Sequence, residues 1–409
     1  MLKKMRNFVN MKNQRIHLFF LTFLLAVISQ AQSDTVTIAI QTRLGQLLQQ
    51  NETLLNQSQL GLYVYDLNAD SAIFAYGHQQ RMRPASTEKV ITATTALAKL
   101  GTDYKFSTSL YVISDTARHI KNVRVMGRMD PEFSADDMKT FVTALKNYGD
   151  TIYGDILLDM SWKEAKKLGF GWCWDDDNPS LVPLLYEGKA NFETTWRQAL
   201  KNAGIVVLGK IREVQKPCQI NGEKEICTRF HSIDAVLRPM MKNSDNQYAE
   251  CVFYQLSGQK NQTATEKSSR QQVENFIENN LNLSLAPYEI ADGSGLSLYN
   301  YVTPELEVKF LRWAYKHGDI YTSLCRSLPV AGIDGTLKNR MNYGPAHGRI
   351  MAKTGTVTGV SSLAGYAMAP NGHLLAFCII NQGVRRASVG RQFQDRICEA
   401  LTTAIRVPE

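Results

Sequence analysis

The chain of 409 residues is expected to fold as an α/β protein of the α+β type, with one antiparallel five-stranded sheet covered by helices and interrupted by an inserted β-rich unit. Three observations predict this. Two strand-like runs lie before residue 80 and three from residue 348 onward. Segments of helical periodicity flank them at both chain ends. From 102 to 228 the texture changes to short β-type runs separated by turn residues.

The N-terminus comes first. Lys3, Lys4, Arg6, Lys12 and Arg15 precede the apolar run IHLFFLTFLLAVI, and Ser29 and Ala31 follow it. A basic region, a short apolar core and small residues before a cleavage point read as a secretory signal peptide over residues 1–31. The run is too short to cross a hydrocarbon layer of roughly 30 Å as a helix. No cysteine adjoins the expected cleavage point and no later run reaches membrane length, so the mature protein is expected to be soluble and periplasmic, without a stable membrane anchor. The formal charge of +8 falls to +3 once the five basic residues of this segment are removed, which argues against a nucleic-acid partner.

The mature part begins with a helix over TRLGQLLQQNETLL, then two strands, LGLYVYDL and SAIFAYGH, joined by the turn NADS. A helix follows over STEKVITATTALAKLG, with Val90, Ala93, Leu97 and Leu100 on one face and Gly101 placed to end it. The inserted unit contributes FSTSLYVI, NVRVMG, GDILLD and GIVVLGKIREV as strands. Residues 229–330 are mostly helical in pattern, with turns at KNSDN and DGSGLS. The strands GRIMAKTGT, GVSSLAGYAMAP and HLLAFCIINQ come last, the final two joined by Asn371-Gly372, a strong hairpin signal. A closing helix places Val389, Phe393, Ile397 and Leu401 at four-residue steps. The expected division is 1–31 signal peptide, 32–101 with 229–409 a discontinuous catalytic domain, and 102–228 the insertion.

Seven cysteines in an oxidising compartment leave their pairing open. Cys218 and Cys227 flank a polar stretch read as a hairpin and are candidates for a bridge; Cys251, Cys325, Cys378 and Cys398 lie in apolar contexts and read as buried thiols. With no C-x-x-C, no H-E-x-x-H and scattered histidines, neither a metal nor a cofactor is expected.

Chemistry enters at PASTEK, residues 84–89. Ser86 and Lys89, three residues apart at a helix start, lie on one face. Alone they fit an N-cap serine and a solvated lysine as well as a nucleophile and its base. A serine hydroxyl needs such a base, and a lysine serves only if burial or a second cation disfavours its ammonium. Two later segments complete a site in order: Ser244-Asp245-Asn246 in an interhelical turn, and Lys353-Thr354-Gly355-Thr356 on a strand. In an extended turn Ser244 and Asn246 point the same way, one to relay a proton and one to bind a substrate amide. Lys353 would depress Lys89 and attract a carboxylate, Thr354 and Thr356 would hold that carboxylate, and Gly355 would leave the strand edge open to substrate. The backbone N–H groups of Ser86 and Thr356 form the expected oxyanion hole. Three motifs in this order and context are those of penicillin-binding proteins and class A β-lactamases.

The 154 residues between Lys89 and Ser244 exceed what a compact β-lactamase needs. With GDILLD, GFGWCWDDD, DGSGLS, LPVAGIDGTLKNRM and AKTGTVTGVSSLAGY added, the chain resembles the serine-type D-alanyl-D-alanine carboxypeptidase/endopeptidases, the low-molecular-mass class C penicillin-binding proteins. The resemblance implies a penicillin-binding transpeptidase-like domain, cleavage of D-Ala-D-Ala bonds or cross-links in peptidoglycan stem peptides, and covalent inhibition by β-lactams. It assigns Ser86 as nucleophile, Lys89 as base, Ser244 and Asn246 as the second motif, and Lys353 with its threonines as the third. The insertion is shorter than the two inserted domains the family often carries. Met129 stands in MGRMDPEF where a glycine is expected, and Asp130 beside it would help select the stem-peptide side chain. Trp172 and Trp174 read as core packing, and Asp292 and Ser294 as shapers of a tight turn. The competing readings are a serine β-lactamase, told apart by fast release of hydrolysed penicillin, and a catalytically silent peptidoglycan-binding scaffold, told apart by absence of an adduct.

Overall fold

The computed structural model describes residues 35–116, 119–173, 178–218, 220–258 and 262–404; the signal peptide reading and Trp174 lie outside them. A helix over residues 35–49 (α1) and a short one, Glu52–Gln57 (α2), lead into strands Gln59–Asp66 (β1) and Ser71–Tyr76 (β2). A 3-10 turn at Ala85–Thr87 runs directly into Glu88–Leu100 (α3), which Gly101 ends at φ 91. The insertion holds Lys105–Thr116 (β3), His119–Gly127 (β4), Ala135–Lys146 (α4), Thr151–Ile152 (β5), Ile156–Asp159 (β6), Phe192–Asn202 (α5), Val206–Val207 (β7), Ile211–Val214 (β8) and Lys224–Ser232 (β9). Five helices follow, Ile233–Lys242 (α6), Asn246–Gln255 (α7), Glu266–Asn280 (α8), Pro304–Tyr315 (α9) and Gly318–Ser327 (α10). Strands Ile350–Val357 (β10), Val360–Met368 (β11) and Leu374–Gln382 (β12), then helix Ala387–Thr402 (α11), close the chain.

The first sheet has the order β10-β11-β12-β1-β2, antiparallel throughout, so strands from both chain ends form one layer. Its central strands are buried on both faces, and their alternation sorts the core. Leu363, Phe377 and Ile379 pack with Val36, Ile40 and Leu44 of α1 and with Phe393, Ile397 and Leu401 of α11. Ala364, Cys378 and Ile380 face the opposite way, toward Val90, Ile91 and Leu97 of α3 and Leu306 and Phe310 of α9. Val389, placed by periodicity on the inner face of α11, is 43% exposed; its neighbour Gly390 takes the inward place instead, so close to the sheet that a Cβ there would lie 2.8 Å from Ser361 Cβ.

The second sheet runs β7-β5-β4-β3-β9, with β6 on β4 and β8 on β6. β3 pairs antiparallel with β4 and β9, but β4–β5, β4–β6, β5–β7 and β6–β8 are parallel. Parallel neighbours need crossovers, and α4 and α5 supply them, two helices that the strand-like texture of the segment had hidden. A capping box, Ser134 with Asp137, starts α4. The run GIVVLGKIREV divides into β7 and β8 at Gly209, where a Cβ would lie 2.1 Å from the Gly154 carbonyl oxygen.

The Cys218–Cys227 bridge is corrected: both thiols are free, as are the other five. The expected hairpin does not form, because β9 pairs with β3, where Cys227 faces Leu110, while β8 pairs with β6.

Candidate active site

Pro84 and the left-handed Ala85, φ 50, turn the chain so that Ser86 enters α3 from a 3-10 turn. Ser86 remains partly exposed while Thr87, Glu88 and Lys89 are buried. Three residues on, Lys89 Nζ meets Ser86 Oγ at 2.9 Å, Asn246 Oδ1 at 2.7 Å and the Ser294 carbonyl oxygen at 2.7 Å. As a neutral amine, Nζ has two hydrogens and one lone pair, which matches two acceptors and one hydroxyl donor. Burial pushes Lys89 down to about 8, against the pull of Asp292, Glu250, Asp245 and Glu88.

Lys353 on β10 is also buried, and its Nζ donates to Ser244 Oγ at 2.8 Å and to the Thr354 carbonyl at 2.7 Å. Burial, and next the charge of Lys89, hold it well below the ordinary lysine range. Repulsion between two ammonium groups is mutual, so Lys353 also disfavours the charged form of Lys89.

The second motif differs in shape from the extended turn expected of it. Ser244 is left-handed, φ 62, Asp245 caps α7 through its bond from Tyr248 N, and Asn246 is the first residue of that helix. The bend aims Ser244 at Lys353 and Asn246 at Lys89.

β10 is an edge strand. The Ala352 N–H donates to the Pro329 carbonyl and the Ile350 carbonyl accepts from Ala331 N, both on the side away from β11. Backbone direction alternates along a strand, so the N–H groups of Thr354 and Thr356 also point to the open edge. Thr356 is exposed, and Thr354 Oγ1 donates to Thr336 Oγ1 at 2.8 Å. Gly355 acts otherwise than expected: a Cβ there would point inward, 2.0 Å from Ser362 Oγ, 2.8 Å from the Pro84 carbonyl oxygen and 3.0 Å from Ser86 N. The missing side chain lets β10 lie against the nucleophile turn.

Residues 40–184 and 184–404 match the D-Ala-D-Ala carboxypeptidase 3 (S13) family. The chain belongs to that family. A D-alanyl-D-alanine carboxypeptidase of an Actinomadura species is 25% identical, over 86% of this chain and 84% of its own. The carboxypeptidase DacB of Haemophilus influenzae is also 25% identical, over 78% and 84%. The crystal structure of penicillin-binding protein 4 from Haemophilus influenzae aligns with a TM-score of 0.74 at 23% identity, covering 84% of this chain and 96% of that one. A penicillin G-acylated predatory endopeptidase of Bdellovibrio bacteriovorus aligns at 0.58 and 18%, covering 85% and 95%. These two structures speak for the fold.

Within this member of the family, Asp130 stands apart from the lysine cluster. Its carboxylate is fully buried, with Oδ2 2.8 Å from His231 Nδ1 and Oδ1 accepting from Glu132 N, so it is not presented to a ligand. The position expected to be glycine is left-handed, and Met129 occupies it at φ 52 with its side chain buried. Trp172 packs in the core and donates Nε1 to Asp292 at 2.7 Å. Asp292 also accepts from Gly295 N, Ser297 N and Asn300 Nδ2, which fixes the turn that offers the Ser294 carbonyl to Lys89.

Sequence reasoning missed that carbonyl and the buried acids beneath the lysines. Neither carboxyl oxygen of Glu88 has a hydrogen-bond partner among the described residues, and burial pushes it well above the carboxylate range. Glu250 accepts from Gly293 N and is raised for the same reason. Glu307 Oε1 takes the Thr87 hydroxyl at 2.6 Å. An acidic residue inside an apolar helical face, as at Glu88 and Glu307, was the available signal. Among the described residues no group of three or more His, Cys, Asp or Glu is placed to hold a metal.

Proposed function

We propose that this chain is a serine DD-peptidase that cleaves the terminal D-Ala-D-Ala bond or the cross-links of peptidoglycan stem peptides through an acyl-enzyme on Ser86. The observation that carries the reading is Lys89 Nζ, fully buried, lowered to about 8 and 2.9 Å from Ser86 Oγ. Family membership gives the reaction class. Lys89 takes the Ser86 proton as Oγ attacks the carbonyl of the penultimate D-alanine. The N–H groups of Ser86 and Thr356 bind the oxyanion. The departing D-alanine nitrogen receives a proton by way of Lys89 and Ser244, and water then attacks the ester and regenerates Ser86. Asn246 binds the substrate amide, and Lys353, Thr354 and Thr356 bind its carboxylate.

β-Lactams acylate Ser86 by the same steps, because their strained amide occupies the place of the D-Ala-D-Ala bond. Residues 1–31 act as a signal peptide and deliver the protein to the periplasm; no helix among the described residues is long and apolar enough to cross a membrane. Residues 32–101 and 229–409 form the catalytic domain and 102–228 the inserted one; the two separate sheets support a division of this kind, with β9 carrying the inserted sheet four residues past 228, to Ser232.

The test is intact-protein mass spectrometry with benzylpenicillin over time, with peptide mapping. A lasting adduct on Ser86, lost in Ser86→Ala together with D-alanine release while the fold persists, is expected. A transient adduct with product accumulating would replace this reading with a β-lactamase, and no adduct would replace it with a silent scaffold.

A further inference from the structure

Thr87, next to the nucleophile, has Oγ1 at 2.8 Å from the Pro84 carbonyl oxygen, 2.6 Å from Glu307 Oε1 and 3.4 Å from Ser362 Oγ, and Ser362 Oγ itself donates to Pro84 O at 2.5 Å. Four side and main chains thus tie the turn holding Ser86 to α9 and to β11. Glu307 is fully buried in the first turn of α9, where the positive end of the helix favours a carboxylate, and it directs that carboxylate to the nucleophile turn rather than to its own helix.

A hydroxyl has a single hydrogen, so the chain has two states. With Glu307 ionised, Thr87 gives its hydrogen to the carboxylate and Pro84 O is held by Ser362. With Glu307 protonated, its own hydrogen can go to Thr87 Oγ1, which then donates to Pro84 O. The charged bond is the stronger of the two, and only the ionised state offers the Lys353 ammonium a negative charge.

We propose that Glu307 is a positioning residue for acylation, whose ionised carboxylate holds the Ser86 turn and the charge of Lys353 in the reactive arrangement. It does not touch substrate; it acts through Thr87 and Lys353. Burial raises its carboxyl to about 7, against the pull of the Thr87 hydroxyl, the Cys378 thiol and Lys353. The groups facing it are Thr87 from the turn, Glu88 from α3, Lys353 from β10 and Cys378 from β12. Burial pushes Glu88, Cys378 and Lys353 alike toward their neutral forms, so the direct link is the Thr87 bond, and a charge on Glu307 in turn favours the ammonium form of Lys353.

The inference rests on the DD-peptidase reading, and its test separates the two. The acylation rate constant of the full mature chain with a fluorescent penicillin is followed by stopped flow from about pH 5.5 to about pH 9. The wild-type rate is expected to rise with the loss of the Lys89 proton and to show an added drop of about tenfold below pH 7. Glu307→Gln, which mimics the protonated acid, should run about tenfold slower at high pH and converge with wild type at low pH. A deficit independent of pH, or no deficit, would overturn the proposal. If Glu307→Gln does not fold by circular dichroism, Thr87→Val serves instead: it cuts the link and should remove the added drop, and a wild-type profile there would overturn the proposal. A wild-type protein that is never acylated would overturn the DD-peptidase reading itself.

Discussion

Placing a methyl group on Gly355 tests whether the catalytic cleft depends on the close fit of β10 against the nucleophile turn. In Gly355→Ala the new Cβ lies 2.0 Å from Ser362 Oγ, 2.8 Å from Pro84 O and 3.0 Å from Ser86 N. A contact distance of roughly 3.5 Å is ordinary for such atoms, so the first overlap is about 1.5 Å. Ser362 cannot swing clear without losing its 2.5 Å bond to Pro84 O, and the other two atoms belong to the backbone. The strand must therefore move away from Ser86. Overpacking of this kind costs about 1–3 kcal/mol of stability, and a displacement of about 1 Å at a reacting group costs about a hundredfold in rate. Penicillin acylation should fall by that factor while the melting temperature drops by a few degrees. Adding Ser362→Ala removes the worst overlap and should restore most of the stability but only part of the rate, since Pro84 O then loses the Ser362 hydroxyl that holds it while Thr87 donates to Glu307. A single variant that acylates like wild type, or a double variant no better than the single, would refute the reasoning.

Lys353→Ala removes the second cation, so Lys89 should keep its proton to higher pH; the rising limb of the acylation profile, set near 8 by Lys89, is expected to move alkaline as the rate falls. His231 contacts two buried carboxylates, Asp130 at 2.8 Å and Asp137 at 3.3 Å, and is raised above its ordinary 6.5 by the bond to Asp130. Its stabilisation is complete below 6.5 and lost as pH rises through the elevated value, so urea unfolding should show a smaller loss of stability between about pH 6 and pH 9 in His231→Gln than in wild type. In the inserted sheet, Arg124 is buried between Asp159, at 2.9 Å, and Glu223. Arg124→Met leaves two carboxylates unpaired and should cost about 3–5 kcal/mol in chemical denaturation, yet leave penicillin acylation of the remaining folded protein near wild type.

The five-stranded sheet was legible because its strands announce themselves separately. Asn371-Gly372 marks the β11–β12 hairpin, and the apolar runs of β11 and β12 are those of strands covered on both faces. The insertion was harder to read. Its parallel pairs depend on which strands the crossover helices bring together, and no local signal in GDILLD or KIREV tells a parallel neighbour from an antiparallel one. The Cys218–Cys227 expectation failed for that reason: adjacency in sequence gave no knowledge of strand order.

The sequence by itself determined the residue types and spacings of the site: Ser86 with Lys89 one helical turn on, the Ser244-Asn246 pair, and Lys353 on a strand with Gly355 two residues along. Spacing within one element is a local property, so periodicity could reveal it. Only the tertiary structure decided that Lys89 finds the Ser294 carbonyl as its third partner, that Gly355 serves the packing of two backbones, that Asp130 is closed off by His231, and that Glu307 reaches the nucleophile turn through Thr87. Each of these joins residues separated by about a hundred positions or more, and burial and contact at such distances follow from how the sheet and helices pack, which no local pattern encodes.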